Sequence, residues 1–389
     1  MIEVSKSASR IAQSEIRVMS VECERVGGVN LAQGICDTEV PEPVRRAAAK
    51  AAEAGLNQYT RLDGIAPLRT AIAKKLADYN GLNVDPEKEV VVTSGATGGF
   101  FATCMAMLDP GDEVILFEPC YGYHAHTLTA MNCVPVFVRL SAPDWKFSAG
   151  DVERVVTPRT KAIVLNSPAN PSGKVLSRTE LVWLAEIATK HDLLIITDEI
   201  YEYFVFDGHE HVSMASLPGM AERTITISGF SKVFSITGWR IGYVACPARW
   251  KSAIGYFHDL TYICAPAPFQ HGAAAGLNEM PQSFYKELRL EYLRKRDLIC
   301  GALKQAGLTP SIPQGAYYVL ADSSSLPGNN SKEKAMRLLR ETGVAAVPGN
   351  AFYHDNAGEN LLRFCFAKTV SALEEACDRL QRLRAAATA

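Results

Sequence analysis

Lys232 lies among small and hydroxyl residues in the segment ISGFSKVFSITGWRIGY (227–243), with Arg240 shortly downstream. A lysine just past a β-rich run is either a solvated surface cation or an amine that serves as nucleophile and base. The apolar run LLIITDE ends in Asp198 and Glu199, and Tyr201 follows. A carboxylate in that position needs a partner, which a functional cation or a helix-cap role would supply. The turn ANPSG places Asn170 exposed at its tip, where turn chemistry alone is the plainer reading. In CYGYH, Tyr121 or Tyr123 could cover a flat ring or simply fill a rim. The run VVVT leads into SGATGG, whose small residues and helix start could offer backbone N–H groups to a phosphate or form a tight turn.

Positioning these residues requires strands that end at one place. The runs EVVVTSG, EVILFEP, VPVFVRL, KAIVLNSP, LLIITDE, TITISGF and IGYVACP are short and β-branched, and several are continuously apolar, as strands covered on both faces are. Helical patterns such as SRTELVWLAEIATKHD separate several of them, so βαβ units are expected. The fold class is therefore α/β, with a mostly parallel sheet flanked by helices. In such sheets ligands bind outside the carboxyl ends of the strands, where the residues above fall. Beyond about residue 275 the texture changes to the helix-prone MPQSFYKELRLEYLRKRDLICGALKQAG and then to AYYVLAD, GVAAVPG and LLRFCFA. This predicts a large domain over 42–275 and a smaller α+β domain formed by 1–41 with 276–389.

At 389 residues and 48% hydrophobic content the chain can bury a large core. Its 40 Lys and Arg nearly balance 42 Asp and Glu, so no basic field points to nucleic acid or an anionic membrane. Small-molecule chemistry is the better expectation. The ten cysteines have no CxxC pair and no metal-ligand spacing, and the N-terminus MIEVSKSASRIAQSEIR has no apolar core. A reduced, cytoplasmic protein without a signal peptide, membrane span or metal is expected.

Phosphate turn, aromatic ring, amide, carboxylate and lysine thus project from successive strand ends. Pyridoxal phosphate needs this inventory: a lysine for a Schiff base, a carboxylate at the pyridine nitrogen and a cradle for the phosphate. NPSG, TDEIY and SKVFSITGWRIGY, in this order and spacing, resemble the class I and II pyridoxal-phosphate-dependent aminotransferases with the aspartate aminotransferase fold, fold type I. The likeness runs from LAQGICD near residue 31 to RFCFAK at 363–368. It implies that Lys232 forms the Schiff base and carries the proton, and that Asp198 pairs with the ring nitrogen. Tyr201 and Asn170 would bond the ring hydroxyl, and Tyr121, or failing it Tyr123, would stack on the ring. Arg240, Ser231 and the backbone of Ala96 and Thr97 would hold the phosphate. Tyr59 in NQYTRLDG would reach the phosphate of a neighbouring subunit, which implies a homodimer. Arg363, with Gly34 and Asn170 nearby, would bind the substrate α-carboxylate, and LAQGICD hints at a mobile lid.

One departure from the family pattern is Gly229, where a serine often stands three residues before the lysine. LAQGICD, NQYTRLDG, PVFVRL and RFCFAK look nearest the kynurenine, glutamine and methionine aminotransferase branch. The resemblance implies transfer of the amino group of an aromatic, methionine, glutamine or broad-specificity (including aspartate) L-amino acid to a 2-oxo acid such as 2-oxoglutarate. A strictly dicarboxylate enzyme would want a second arginine, for which Arg61 is the candidate. The alternatives are a carbon–sulfur β-lyase on the same scaffold and a non-catalytic regulator that kept the fold. A nicotinamide dehydrogenase is disfavoured, since no GxGxxG follows an early strand.

Overall fold

A computed structural model describes residues 4–5, 8–11 and 14–383. Residues 1–3 and 384–389, the ends of the expected small domain, lie outside the described residues, as do 6–7 and 12–13. The seven apolar runs form one sheet in the order Val90–Ser94, Ile241–Ala245, Thr224–Gly229, Leu194–Asp198, Thr160–Asn166, Glu113–Glu118 and Val134–Arg139. Ile241–Ala245 runs antiparallel to both neighbours, and the other pairs are parallel. The fold is α/β, as the apolar runs implied. Successive residues go to opposite faces: Ile195 packs with Leu181 and Leu184, while Ile196 packs with Phe100 and Ile254. Both faces are covered, which is why these strands read as unbroken apolar runs rather than alternating ones. Each such buried side chain stabilises the sheet by roughly 1.5–3 kcal/mol.

Local signals set the crossovers. Helix Arg178–Lys190 begins at Ser177, whose hydroxyl accepts from the Glu180 N–H, while the Glu180 carboxylate accepts from the Ser177 N–H at 2.8 Å. This reciprocal cap fixes where the chain turns back toward the strand that carries Asp198. The resulting register aligns Asn166 with Asp198, and Asp198 with Ile227, so these strand ends lie level.

A second, antiparallel sheet has the order Val347–Pro348, Leu361–Cys365, Tyr318–Asp322 and Thr309–Pro310. Val29–Asn30 pairs in parallel with Val344–Ala345. Helix Glu15–Arg25 buries Met19 and Cys23 in the same core as Leu338, Phe364 and Leu373. Among the described residues no helix is long and apolar enough to cross a membrane, and the ten cysteines are free thiols.

Candidate active site

The carboxyl ends of the sheet open into a cleft of about 460 Å³, closed on the other side by the strand that carries Arg363 and by the segment around Gly34. The cleft brings together Lys232, Asp198, Tyr201, Asn170 and Tyr121 with Ala96, Thr97, Ser231, Arg240, Arg363 and Gly34. Tyr123 also lines it, 5.1 Å from Tyr121 in a stacked arrangement. Of the residues expected at the site, Tyr59, which is 78% exposed, and the candidate second arginine Arg61 lie elsewhere.

The Lys232 amine donates to the Gly34 carbonyl at 3.3 Å and lies 5.7 Å from the Tyr317 ring centre. Burial pushes its pKa below the ordinary lysine value; Arg240 acts in the same direction, and Cys36, Cys365 and Asp198 act against it. The neutral amine is thus more accessible than on a surface lysine. Burial also pushes the Tyr201 hydroxyl well up, helped by Tyr318 and Asp198, so it stays a donor. It lies 3.1 Å from the Tyr318 hydroxyl.

Two arginines line the cleft. Arg240 adopts a left-handed backbone, φ 58°, which a non-glycine residue holds only under constraint. Its guanidinium lies against Gly95, where a Cβ would fall 2.5 Å from Nη2. Gly95 itself has φ +72° and opens helix Gly95–Met107, so both backbone conformation and the close approach require glycine there. A helix N-terminus facing a guanidinium has the donors to hold a phosphate. Arg363 is 1% exposed. It donates to Asn170 Oδ1 at 3.0 Å and to the Ala32 carbonyl, and its plane lies 4.3 Å from the Tyr318 ring. Its buried Nε has no partner among the described residues, which leaves a donor for an anion. A lysine, a carboxylate, a phosphate cradle and an aromatic ring in one cleft fit pyridoxal phosphate.

The structure corrects one expectation. Asn170 is not exposed at a turn tip but 4% exposed: its N–H donates to Asn166 Oδ1 at 2.8 Å and its side chain meets Arg363. The second sheet covers the turn, which local sequence could not reveal. Sequence reasoning also missed His124, whose Nε2 lies 3.1 Å from Asp198 Oδ2. The histidine stands in CYGYH, and the need of Asp198 for a partner was the available signal. Glu199 instead turns into a separate buried cluster with Thr197, His211 and Ser213. Gly229 has a structural reason: a Cβ there would lie 2.9 Å from the Cα of Gly242 on the paired strand. Ser228 does not replace the missing serine, because its hydroxyl points at Glu202. Arg61 is engaged by Asp63 at 2.9 Å and Glu87 at 3.1 Å and does not line the cleft.

Beneath the cradle, His258 Nε2 accepts from the Ser94 N–H at 2.8 Å, and burial pushes the His258 pKa down to about 4. Below about pH 6.5 the unfolded chain takes up a proton that folded His258 refuses. Stability present above that pH is lost as pH falls toward about 4, by on the order of 3 kcal/mol. Thermal midpoints at about pH 7 and about pH 5 should therefore differ more for the native protein than for His258→Gln. Equal differences would remove His258 as the cause.

The family model "Aminotransferase class I and II" matches residues 26–380. The chain is similar to the probable N-succinyldiaminopimelate aminotransferase DapC of Mycobacterium tuberculosis, 39% identical over 377 residues that cover 94% of each chain. It is 36% identical to the kynurenine--oxoglutarate transaminase of Dictyostelium discoideum, over 98% of this chain and 96% of that one. The solved structure of N-succinyldiaminopimelate aminotransferase from Mycobacterium tuberculosis superposes with a TM-score of 0.95 at 37% identity, covering 98% of this chain and all of that one.

Proposed function

From the chain's place in the class I and II aminotransferase family, whose members depend on pyridoxal phosphate, we propose that it moves the amino group of an L-amino acid to a 2-oxo acid such as 2-oxoglutarate, in two half-reactions. The donor is an aromatic amino acid, methionine or glutamine, or a broader set that includes aspartate. The observation that carries this reading is Lys232, its pKa lowered by burial, in one cleft with Asp198, Arg240 and Arg363. Bound pyridoxal phosphate supplies a carbonyl for imine formation and a ring that accepts the electron pair left at the substrate Cα.

In this proposal Arg363 takes the α-carboxylate through its planar two-pronged donor set, assisted by Asn170 and flanked by Gly34, and so aims the Cα–H bond. Lys232 would serve as the base that takes the proton from the substrate Cα and as the acid that gives it back. Asp198, steadied by His124, holds a proton on the cofactor ring nitrogen. Tyr201 and Asn170 would donate to the ring oxygen, and Tyr121 would cover the ring. Ser231, Arg240 and the N–H groups of Ala96 and Thr97 grip the phosphate. Loaded with pyridoxal phosphate, the protein is expected to show visible absorbance that bleaches with a single donor amino acid and returns with 2-oxoglutarate. A protein that cannot be coloured would overturn the reading, and pyruvate formation without bleaching would point to the β-lyase.

The enzyme acts as a homodimer in this reading. Support comes from exposed apolar side chains on two segments, Leu56, Tyr59 and Leu62 and then Tyr256, Leu260 and Ile263, all at least 39% exposed, which meet where Leu62 lies beside Gly255. The neighbouring Tyr262 ring packs against Gly98 in the helix of the phosphate cradle, so this surface borders the cleft. Such a patch marks an interface. Sedimentation should give twice the chain mass; a monomer that is fully active would count against it.

A further inference from the structure

A recess of about 420 Å³ opens where helix Gln282–Gln305 begins, and it shares no lining residue with the catalytic cleft. One wall is aromatic: the Tyr203 ring lies 4.7 Å from Tyr285 at 26°, and 4.5 Å from Tyr79. The rim is cationic. Lys286 and Arg289 stand three positions apart on the helix and so share a side, and among the described residues neither side chain has a hydrogen bond or ion pair. Burial and Glu202 push the Tyr79 hydroxyl up and Arg289 pulls it back, so the guanidinium charge is felt at the rings. Glu210, the one acid in this lining, is exposed to solvent.

The buried part of the lining is His211, whose side chain is 2% exposed. Its Nε2 lies 3.0 Å from Glu199 Oε2, and facing a carboxylate that nitrogen carries the proton. Nδ1 is then a lone-pair acceptor, and it is buried without a partner among the described residues. An acceptor buried without a donor is costly, and a ligand hydroxyl that reached it would recover that cost. The acids behind His211 do not call for a metal ion instead. Where Glu199, Glu202 and His211 converge, the Lys75 amine already lies 2.5 Å from Glu202.

We propose that this recess is a second binding site, for a small phenolic acid: a planar ring with a carboxylate at one end and a hydroxyl at the other. The carboxylate meets Lys286 and Arg289 at the rim, and the ring lies against Tyr203 and Tyr285. The hydroxyl donates to His211 Nδ1. A volume of about 420 Å³ is in the range of small-molecule sites and accommodates one such ring. The site goes beyond transamination, since none of its residues takes part in the reaction proposed above.

The test removes one recognition element of the ligand at a time. Calorimetry on the loaded protein would compare 4-hydroxybenzoate with benzoate, which lacks the hydroxyl, and with 4-hydroxybenzamide, which lacks the charge. The native protein is expected to bind 4-hydroxybenzoate about tenfold more tightly than either. The double variant Lys286→Gln, Arg289→Gln, changed only at exposed positions, should keep its thermal midpoint and lose the preference for the acid over the amide. An unchanged affinity for 4-hydroxybenzoate in that variant would put the acid elsewhere, the catalytic cleft included, and overturn the site. No binding to the native protein, or binding of either control as tight as that of 4-hydroxybenzoate, overturns it too. None of these readouts requires turnover, so the outcome stands apart from that of the transamination reading.

Discussion

Lys232→Ala is expected to reduce transamination by at least about 10⁴-fold while leaving the protein folded. The side chain is largely enclosed, touches the Gly34 carbonyl at 3.3 Å and has its pKa pushed down by burial. Alanine removes the proposed nucleophile and proton carrier together, and among the described residues no other lysine lines the cleft. The sharper comparison is Lys232→Arg. It keeps a cation of similar reach, yet a guanidinium does not give up its proton at working pH and forms no imine with the cofactor carbonyl. Both variants should therefore be equally inactive, measured as the rate at which a donor amino acid bleaches the visible absorbance and 2-oxoglutarate restores it. Activity in Lys232→Arg within about tenfold of the native protein would show that charge, not proton transfer, is what the residue supplies.

Asp198→Asn should lower kcat by about 10²–10³-fold while the cofactor stays bound. Asparagine keeps the shape and can still accept from the Ile200 N–H, which Asp198 Oδ1 does at 3.2 Å. What it lacks is the negative charge, and the contribution of a fixed charge grows where water is excluded. The carboxylate is 9% exposed and has His124 on its other oxygen. His124→Phe should give a smaller loss, because it disturbs the orientation of the carboxylate without removing the charge. A kcat for Asp198→Asn within about threefold of native would eliminate the proposed role at the ring nitrogen.

Much of the fold was legible because its signals are local. A strand buried on both faces must be apolar at every position, so runs such as LLIITDE and TITISGF announce themselves. Ser177 and Glu180 mark the start of their helix by a pattern four residues wide. Lys232 and Asp198 stood out for another reason: each follows an apolar strand, where its residue type invites chemistry, whereas Arg240 and Arg363 were picked out by the family resemblance. The antiparallel run of Ile241–Ala245 was not legible, since strand direction depends on the connection and not on the strand's own residues.

The sequence by itself determined which side chains the site holds, because no other residue types supply an amine of tunable pKa, a fixed negative charge and planar anion binders. Tertiary structure decided who meets whom. Asn170 is buried against Arg363, 193 positions away along the chain, and His124 meets Asp198 across 74. Arg61 finds acids of its own outside the cleft. Such pairings follow from strand order and from the packing of one sheet over the ends of another, where contact is set by three-dimensional proximity that residue spacing does not encode.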